Sequence, residues 1–237
     1  MTELGSGDRL VVLVHGVLDR GRSFAKVAEL LADECTMLTY DRRGYGSSLD
    51  AAGTPADVHG QIADVVTILD GRRAVLVGHS FGGVIAAGAA VRCPDLVEAL
   101  VMYESGPAWV PGWDDTTMRT MLGGPDPVEA GLRLMLGDQL DSMSEESRQR
   151  WYRLADAFVA EESSTRLPTI PFDFADLRMP VIYGASENVP FIPIVAHLRA
   201  VAGAEIVDLP GAGHNAHRDA PEEFAGLVRL ALRRSAA

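Results

Sequence analysis

Residues 75–87 read Val-Leu-Val-Gly-His-Ser-Phe-Gly-Gly-Val-Ile-Ala-Ala. Ala74 to Val77 is a short apolar, β-branched run of the kind needed by a strand buried on both faces. From Val84 onward the composition turns Ala-rich and reads as a helix. Between them, Gly78-His79-Ser80-Phe81-Gly82 fits G-x-S-x-G, a strand-to-helix turn too sharp for side chains at its flanking positions. Such a turn holds its serine in a strained conformation with Oγ exposed above the carboxyl ends of the strands. The next N–H, that of Phe81, opens the helix, where unpaired donors and the positive dipole end can stabilise an oxyanion. Ser80 is therefore the candidate nucleophile and the Phe81 N–H a candidate oxyanion donor.

The same strand-then-helix rhythm runs through most of the chain. Arg9 to Val14 predicts a strand that ends in His15-Gly16-Val17-Leu18, whose His15-Gly16 pair lets the backbone turn under the nucleophile. The N–H of Val17 is then the second oxyanion donor. Phe24, Val27, Leu30 and Leu31 recur at helical spacing, and Thr36 to Tyr40 predicts a second strand. It runs into Asp41-Arg42-Arg43-Gly44-Tyr45-Gly46-Ser47-Ser48, a turn-rich loop whose charges read as bracing. Ile62, Val65, Val66 and Leu69 mark a helix, with Gly71 suited to its C-terminal cap. After the Ser80 turn, Ala99 to Tyr103 predicts a fourth buried strand ending at Glu104.

From about Pro107 to Ala175 the rhythm breaks. This stretch holds all three tryptophans (Trp109, Trp113, Trp151), and Trp151, Leu154, Ala155 and Phe158 share one helical face. Ser142 with Glu145 has the spacing of a capping box. Large aromatics and Met residues there suit either an acyl or aryl pocket or plain packing against the body. The pattern resumes with strands at Met179 to Gly184 and Ala204 to Leu209, a helix from Pro193 to Val201, and a closing helix from about Pro221. The expectation is an α/β fold, doubly wound, with a mostly parallel sheet of about six strands and helices on both faces. Residues 1–106 and 176–237 would form the core and 107–175 an inserted helical lid. On such sheets ligands bind beyond the carboxyl ends of the strands. His15, Asp41, Ser80, Glu104, Glu187 and the loop before His214 all fall just there.

Composition removes several alternatives. A chain of 237 residues with 47% hydrophobic and 23% charged residues supports a sizeable globular core. A formal charge of −12 argues against nucleic acid or an anionic membrane surface as a partner. No apolar stretch is long enough to span a bilayer, and the N-terminal residues lack the pattern of a signal peptide. Cys35 and Cys93 are too few for a disulfide framework, and no Cys/His cluster has zinc spacing. The expectation is a cytoplasmic monomer or homodimer with no metal or cofactor.

The chain resembles the α/β-hydrolase superfamily over nearly its whole length. The resemblance rests on His15-Gly16, on Asp41-x-Arg43-Gly44-x-Gly46-x-Ser48, on Gly78-x-Ser80-x-Gly82-Gly83, and on Gly213-His214 followed by Pro221-Glu222-Glu223-Phe224. It implies a serine nucleophile, a histidine base, a carboxylate that orients the base, and a lid after the fourth strand found here. The chain departs from many members in leaving no room for their N-terminal hairpin before the His15-Gly16 strand, so the sheet is expected to be short at that edge. The order Ser80, Glu187, His214 fits the superfamily's order of nucleophile, acid and base. His214 lies in a Gly-rich loop free to reach over the strand ends, whereas His15, His79 and His217 read as supporting residues. Glu187 sits in the usual acid loop, where relatives carry Asp. Glu104 is the alternative, because some members take their acid from that strand and an unpartnered carboxylate at the end of a buried strand is costly.

The implied activity is hydrolysis of a small ester, thioester or lactone, with an apolar acyl or aryl group, through an acyl-enzyme on Ser80. Carbon–carbon bond hydrolysis on the same residues, or a slow-turnover receptor-like binding protein, are the alternatives. A serine at the elbow disfavours the dehalogenase and epoxide-hydrolase chemistry that uses Asp there.

Overall fold

Strand runs without polar alternation can only be buried on both faces, and the fold supplies both layers. The computed structural model describes residues 1–186 and 191–236. In chain order its regular elements are β1 (Thr2–Leu4), β2 (Leu10–Val14), α1 (Ala25–Leu31), β3 (Thr36–Thr39), α2 (Val58–Leu69), β4 (Ala74–His79) and α3 (Phe81–Arg92). They continue with β5 (Val97–Tyr103), α4 (Thr116–Leu122), α5 (Pro127–Leu136), α6 (Glu145–Ser164), β6 (Val181–Ser186), α7 (Ile192–Ala202), β7 (Glu205–Leu209), α8 (Ala216–Asp219) and α9 (Pro221–Arg234).

The sheet order is β1-β3-β2-β4-β5-β6-β7, which puts β4 at the centre. Every neighbouring pair is parallel except β1 with β3. All six residues of β4 are buried, as its apolar run requires. One face of the sheet packs Val12, Val14, Leu76, Leu100 and Met102 against Ile62 and Val65 of α2, Val84 and Ile85 of α3, and Leu198 of α7. The other face packs Val11, Leu13, Val75, Val77 and Val101 against Val27 and Leu31 of α1 and Phe224 and Val228 of α9. This is the doubly wound α/β arrangement.

Two local expectations change. The sheet has seven strands rather than about six, because β1 adds a single antiparallel strand at the N-terminal edge where many members carry a hairpin, pairing Thr2 with Thr39 and Leu4 with Met37. Its three side chains are all exposed, so backbone pairing alone makes this strand and no hydrophobic pattern announces it. The cap of α6 is Ser144, whose side chain accepts from the N–H of Ser147, whereas Ser142 closes a preceding 3-10 turn. Both serines stand three residues before a residue suited to the first turn, and sequence spacing alone does not separate them.

Between β5 and β6 the chain forms three α-helices. Phe158 and Ala155 of α6 are buried, with Phe158 against Gly131 of α5. Trp109 packs on Phe172 and Phe174, and Trp113 stacks on Phe191 with ring centroids 5.2 Å apart. Those two tryptophans join the core beside the sheet, the packing role weighed for them.

Candidate active site

Ser80 begins where β4 runs out of sheet. Its N–H donates to the carbonyl of Tyr103 at 2.8 Å, so the turn is pinned to the end of β5, and its carbonyl accepts from the N–H of Gly83 at 2.9 Å. Its backbone takes φ 54° and ψ −127°, a conformation that L residues rarely adopt and that costs on the order of 1–3 kcal/mol. Leu18 (φ 53°) and Glu104 (φ 46°) share the left-handed region. Three of the four non-glycine residues with positive φ among the described residues thus stand at the strand ends around one point. A Cβ on Gly82 would lie 2.1 Å from the Val14 carbonyl oxygen, so only glycine lets α3 start this close to β2. Ser80 itself is partly exposed, and the Phe81 N–H begins α3.

The β2 loop runs past the same point. A Cβ placed on Gly16 would lie 3.0 Å from the Cβ of Ser80, which brings the Gly16–Val17 peptide beside the nucleophile position. His15 is wholly buried under this loop. Its Nε2 accepts the Arg42 N–H at 2.9 Å, and its Nδ1 lies 2.8 Å from the Gly16 carbonyl oxygen, which fixes the tautomer with Nδ1–H as donor. Burial and then the Arg42 charge push its pKa down to about 3, so it stays neutral.

His214 lies in the loop after β7, with its side chain 49% exposed. Its Nδ1 is 2.7 Å from Oε2 of Glu104 and donates to it, leaving Nε2 as the ring's open acceptor. Glu104 is 2% exposed, and its other oxygen accepts from the N–H of Ser186 at 2.9 Å and from the Ser186 hydroxyl. Burial alone would raise the Glu104 pKa. The hydrogen bonds from His214 and Ser186 outweigh it and hold the carboxyl below its ordinary value, so the group is anionic at neutral pH.

Of the two carboxylates considered for His214, Glu104 is thus the one on Nδ1, and Glu187 lies outside the described residues. Ser186, which completes the cradle, gave no sequence signal of its own.

The remaining histidines support this arrangement. His79 donates from Nε2 to the carbonyl of His214 at 2.7 Å, and burial followed by the neighbouring His217 and His214 keeps its pKa well below the ordinary value. Tyr103 donates its hydroxyl to the Gly213 carbonyl at 2.8 Å, so the loop that bears His214 is tied to both β4 and β5. His217, fully buried, donates to Asp19, which also pairs with Arg218. Asp19, His79 and His217 form a cluster of buried nitrogen and oxygen atoms within 4.8 Å of one another. Asp19 accepts from Ser23, His217 and Arg218, and His79 donates to the His214 carbonyl, so the cluster ties the loop after β2 to the loop that bears His214.

Arg42 and Glu161 are functional candidates that the sequence reading missed. Both are wholly buried, and they form an ion pair between the loop after β3 and helix α6. Glu161 also accepts from the Tyr45 hydroxyl at 2.8 Å and from the Gln61 side chain at 2.7 Å. A signal existed: Glu161 stands on the helical face of Ala157, Phe158 and Ser164, all buried, and a lone acid on such a face requires a partner. Asp41 meanwhile accepts the N–H groups of Gly21 and Ser47, and Arg43 pairs with Asp64, so the charges of this loop do brace it.

A cleft of about 890 Å³ opens between the β2 and β3 loops and α6. Its lining is mostly polar and charged, with Arg20, Asp50, Glu146 and Arg150 among it, and Leu18, Leu49, Trp151 and Leu154 are its apolar side chains. Among the described residues no helix is long and apolar enough to cross a membrane.

Known proteins share this architecture. LipV, a lipase of Mycobacterium tuberculosis, is 34% identical over 131 residues, covering 53% of this chain and about half (49%) of its own length. The sn-1-specific diacylglycerol lipase ABHD11 of Xenopus laevis is 26% identical over 248 residues, covering 92% of this chain and 78% of its own. A thermophilic esterase from Thermogutta terrifontis superposes with a TM-score of 0.75 at 20% identity, covering 99% of this chain and 92% of the esterase. The profile of the Alpha/beta hydrolase family matches residues 11–227, from β2 to the middle of α9. On that match and on the fold, the chain belongs to the alpha/beta hydrolase family.

Proposed function

We propose that this hydrolase is a serine esterase that cleaves small esters, thioesters or lactones through an acyl-enzyme on Ser80, with His214 as base and Glu104, rather than Glu187, as its orienting acid. The observation that carries the reading is the 2.7 Å contact between His214 Nδ1 and Glu104 Oε2. It fixes the tautomer in which Nε2 can take a proton, above the strand ends where the elbow presents Ser80. Ser80 Oγ attacks the carbonyl carbon as its proton passes to His214 Nε2. The negative charge that forms on the carbonyl oxygen is met by the N–H groups of Phe81 and Val17. Collapse of the tetrahedral intermediate expels the leaving group, which takes the proton from His214. Water then repeats the cycle on the acyl-enzyme, and Glu104 stabilises the imidazolium in both halves.

Residues 107–175 act as a lid, and the large aromatic and Met side chains of that stretch support an apolar acyl or aryl group on the substrate; its helix α6 brings Trp151 and Leu154 to a cleft that Leu18, in the loop after β2, also lines. The lipase names of the relatives LipV and ABHD11 support ester rather than carbon–carbon chemistry. The test is labelling with a fluorophosphonate probe together with turnover of a chain-length series of p-nitrophenyl esters. Wild type should label and turn over, and Ser80→Ala should lose both while keeping its thermal melt. Labelling that persists in Ser80→Ala, with activity retained, would overturn the assignment.

A further inference from the structure

The guanidinium of Arg42 holds two successive carbonyls of the β2 loop. Its Nε donates to His15 O at 2.8 Å and its Nη2 to Gly16 O at 2.9 Å. The Gly16 carbonyl and the Val17 N–H belong to one planar peptide unit and point to opposite sides of it. Fixing the carbonyl therefore fixes the direction of the N–H. The carbonyl is held twice, by Arg42 and by His15 Nδ1, and the peptide runs beside Ser80. Arg42 is itself held from the other side by Glu161 of α6, with neither side chain exposed. The guanidinium carbon also lies 4.6 Å from the Tyr45 ring centroid and 5.8 Å from that of Phe81, whose N–H is the other donor.

We infer that Arg42 and Glu161 are positioning residues: Arg42 aims the Val17 N–H at the oxyanion, and Glu161, by anchoring Arg42, makes that aim depend on the seating of helix α6. The inference rests on the serine-hydrolase reading above. Three observations separate it from a pair that merely braces the fold. Besides pairing with Glu161, Arg42 spends donors on the two successive carbonyls that precede the oxyanion donor. A cation on the Gly16 carbonyl also polarises the peptide, making its N–H a stronger donor, since hydrogen-bonded groups reinforce one another in a low dielectric. And Glu161 is fully satisfied by Arg42, Tyr45 and Gln61, so the clamp has one well-defined position in which α6 is docked. Misplacing a catalytic group by about 1 Å can cost on the order of 10²-fold in rate, and donors matter only where the oxyanion forms.

The consequence is that a change in α6, on a different element from Ser80, His214 and Glu104, is felt in kcat rather than in KM. The test uses Glu161→Gln, which keeps an acceptor of the same size but removes the charge, and Arg42→Lys, which keeps the charge but cannot span two carbonyls. Turnover of a p-nitrophenyl ester is expressed per active site titrated with the fluorophosphonate, so a partly unfolded sample does not distort it. Both variants should lose roughly 10–100-fold in kcat per titrated site, with KM within about twofold of wild type. A merely structural pair would lower the melting temperature and the number of titratable sites and leave kcat per site unchanged. If both variants retain wild-type kcat per site, the positioning role is overturned. If the wild-type activity does not depend on Ser80, the serine-hydrolase reading fails instead, and the Ser80→Ala control tells the two failures apart.

Discussion

Glu104 and Glu187 illustrate how far a residue's role can be read from its neighbours in sequence. Both were placed just beyond a strand end, and Glu187 had the more familiar loop. What holds Glu104 is not local: it is met by Ser186, 82 positions on at the end of the next strand, and by His214, 110 positions on. The cost of burying a carboxylate was legible, and it pointed to the residue that meets His214, but the donors that offset it were not. Replacing the carboxylate by an amide leaves the shape and removes the charge that stabilises the imidazolium. Glu104→Gln should therefore lower kcat by up to about 10⁴-fold, the scale seen when a triad acid becomes an amide. Glu187→Gln should stay within about threefold of wild type. Steady-state kinetics of the two variants side by side checks this, and a collapse confined to Glu187→Gln would reverse the assignment.

At the scale of elements, the central strand, the elbow and α3 were legible because one run of sequence encodes all three. An apolar β-branched strand, a glycine on either side of the serine and an Ala-rich helix agree with one another. The β1 edge strand was not legible, because three exposed residues carry no periodicity and pair only through backbone. Nor was the tie between α6 and the β3 loop, since its two partners, Arg42 and Glu161, are 119 positions apart. Gly82 shows why propensity alone misleads within an element. It lies in the first turn of α3, where Ala is the better helix former by about 1 kcal/mol. Its missing Cβ would, however, sit 2.1 Å from the Val14 carbonyl and 2.6 Å from that of His15, both backbone atoms with no rotamer to change. Overpacking of this kind costs roughly 1–3 kcal/mol or more, so the contact outweighs the propensity. Gly82→Ala is expected to lower the melting temperature by several degrees and to reduce turnover, because α3 and the Phe81 N–H move away from β2. A melt at or above wild type would show that the helix relaxes freely.

Across the whole molecule, the strand ends carry carboxylates held below their ordinary pKa values on three separate loops: Asp19 after β2, Asp41 after β3 and Glu104 after β5. In Asp19 burial opposes ionisation, and the hydrogen bond from His217 together with the positive charge of Arg218 more than reverses it. Asp41 is lowered by the N–H groups of Ser47 and Gly21 against the pull of partial burial. A carboxylate whose folded pKa is depressed contributes stability that is complete above its unfolded pKa, near 4, and that drains away as pH falls toward the folded value. Net charge acts in the opposite sense. From −12 at pH 7, acidification toward the isoelectric point near 4.9 relieves self-repulsion. Stability should therefore hold or rise between pH 7 and about 5 and then fall steeply below about 4. One fully differential proton contributes a slope of up to about 1.4 kcal/mol per pH unit in that lower range. Asp19→Asn should be less stable than wild type at pH 7, and the gap should close between about pH 4 and 2 as wild type loses what the variant never had. Urea unfolding at pH 7, 5, 4 and 3 measures both curves. A gap that stays constant with pH would mean that the folded and unfolded states bind the Asp19 proton alike, and that the loops at the active-site end are held by packing rather than by this buried charge.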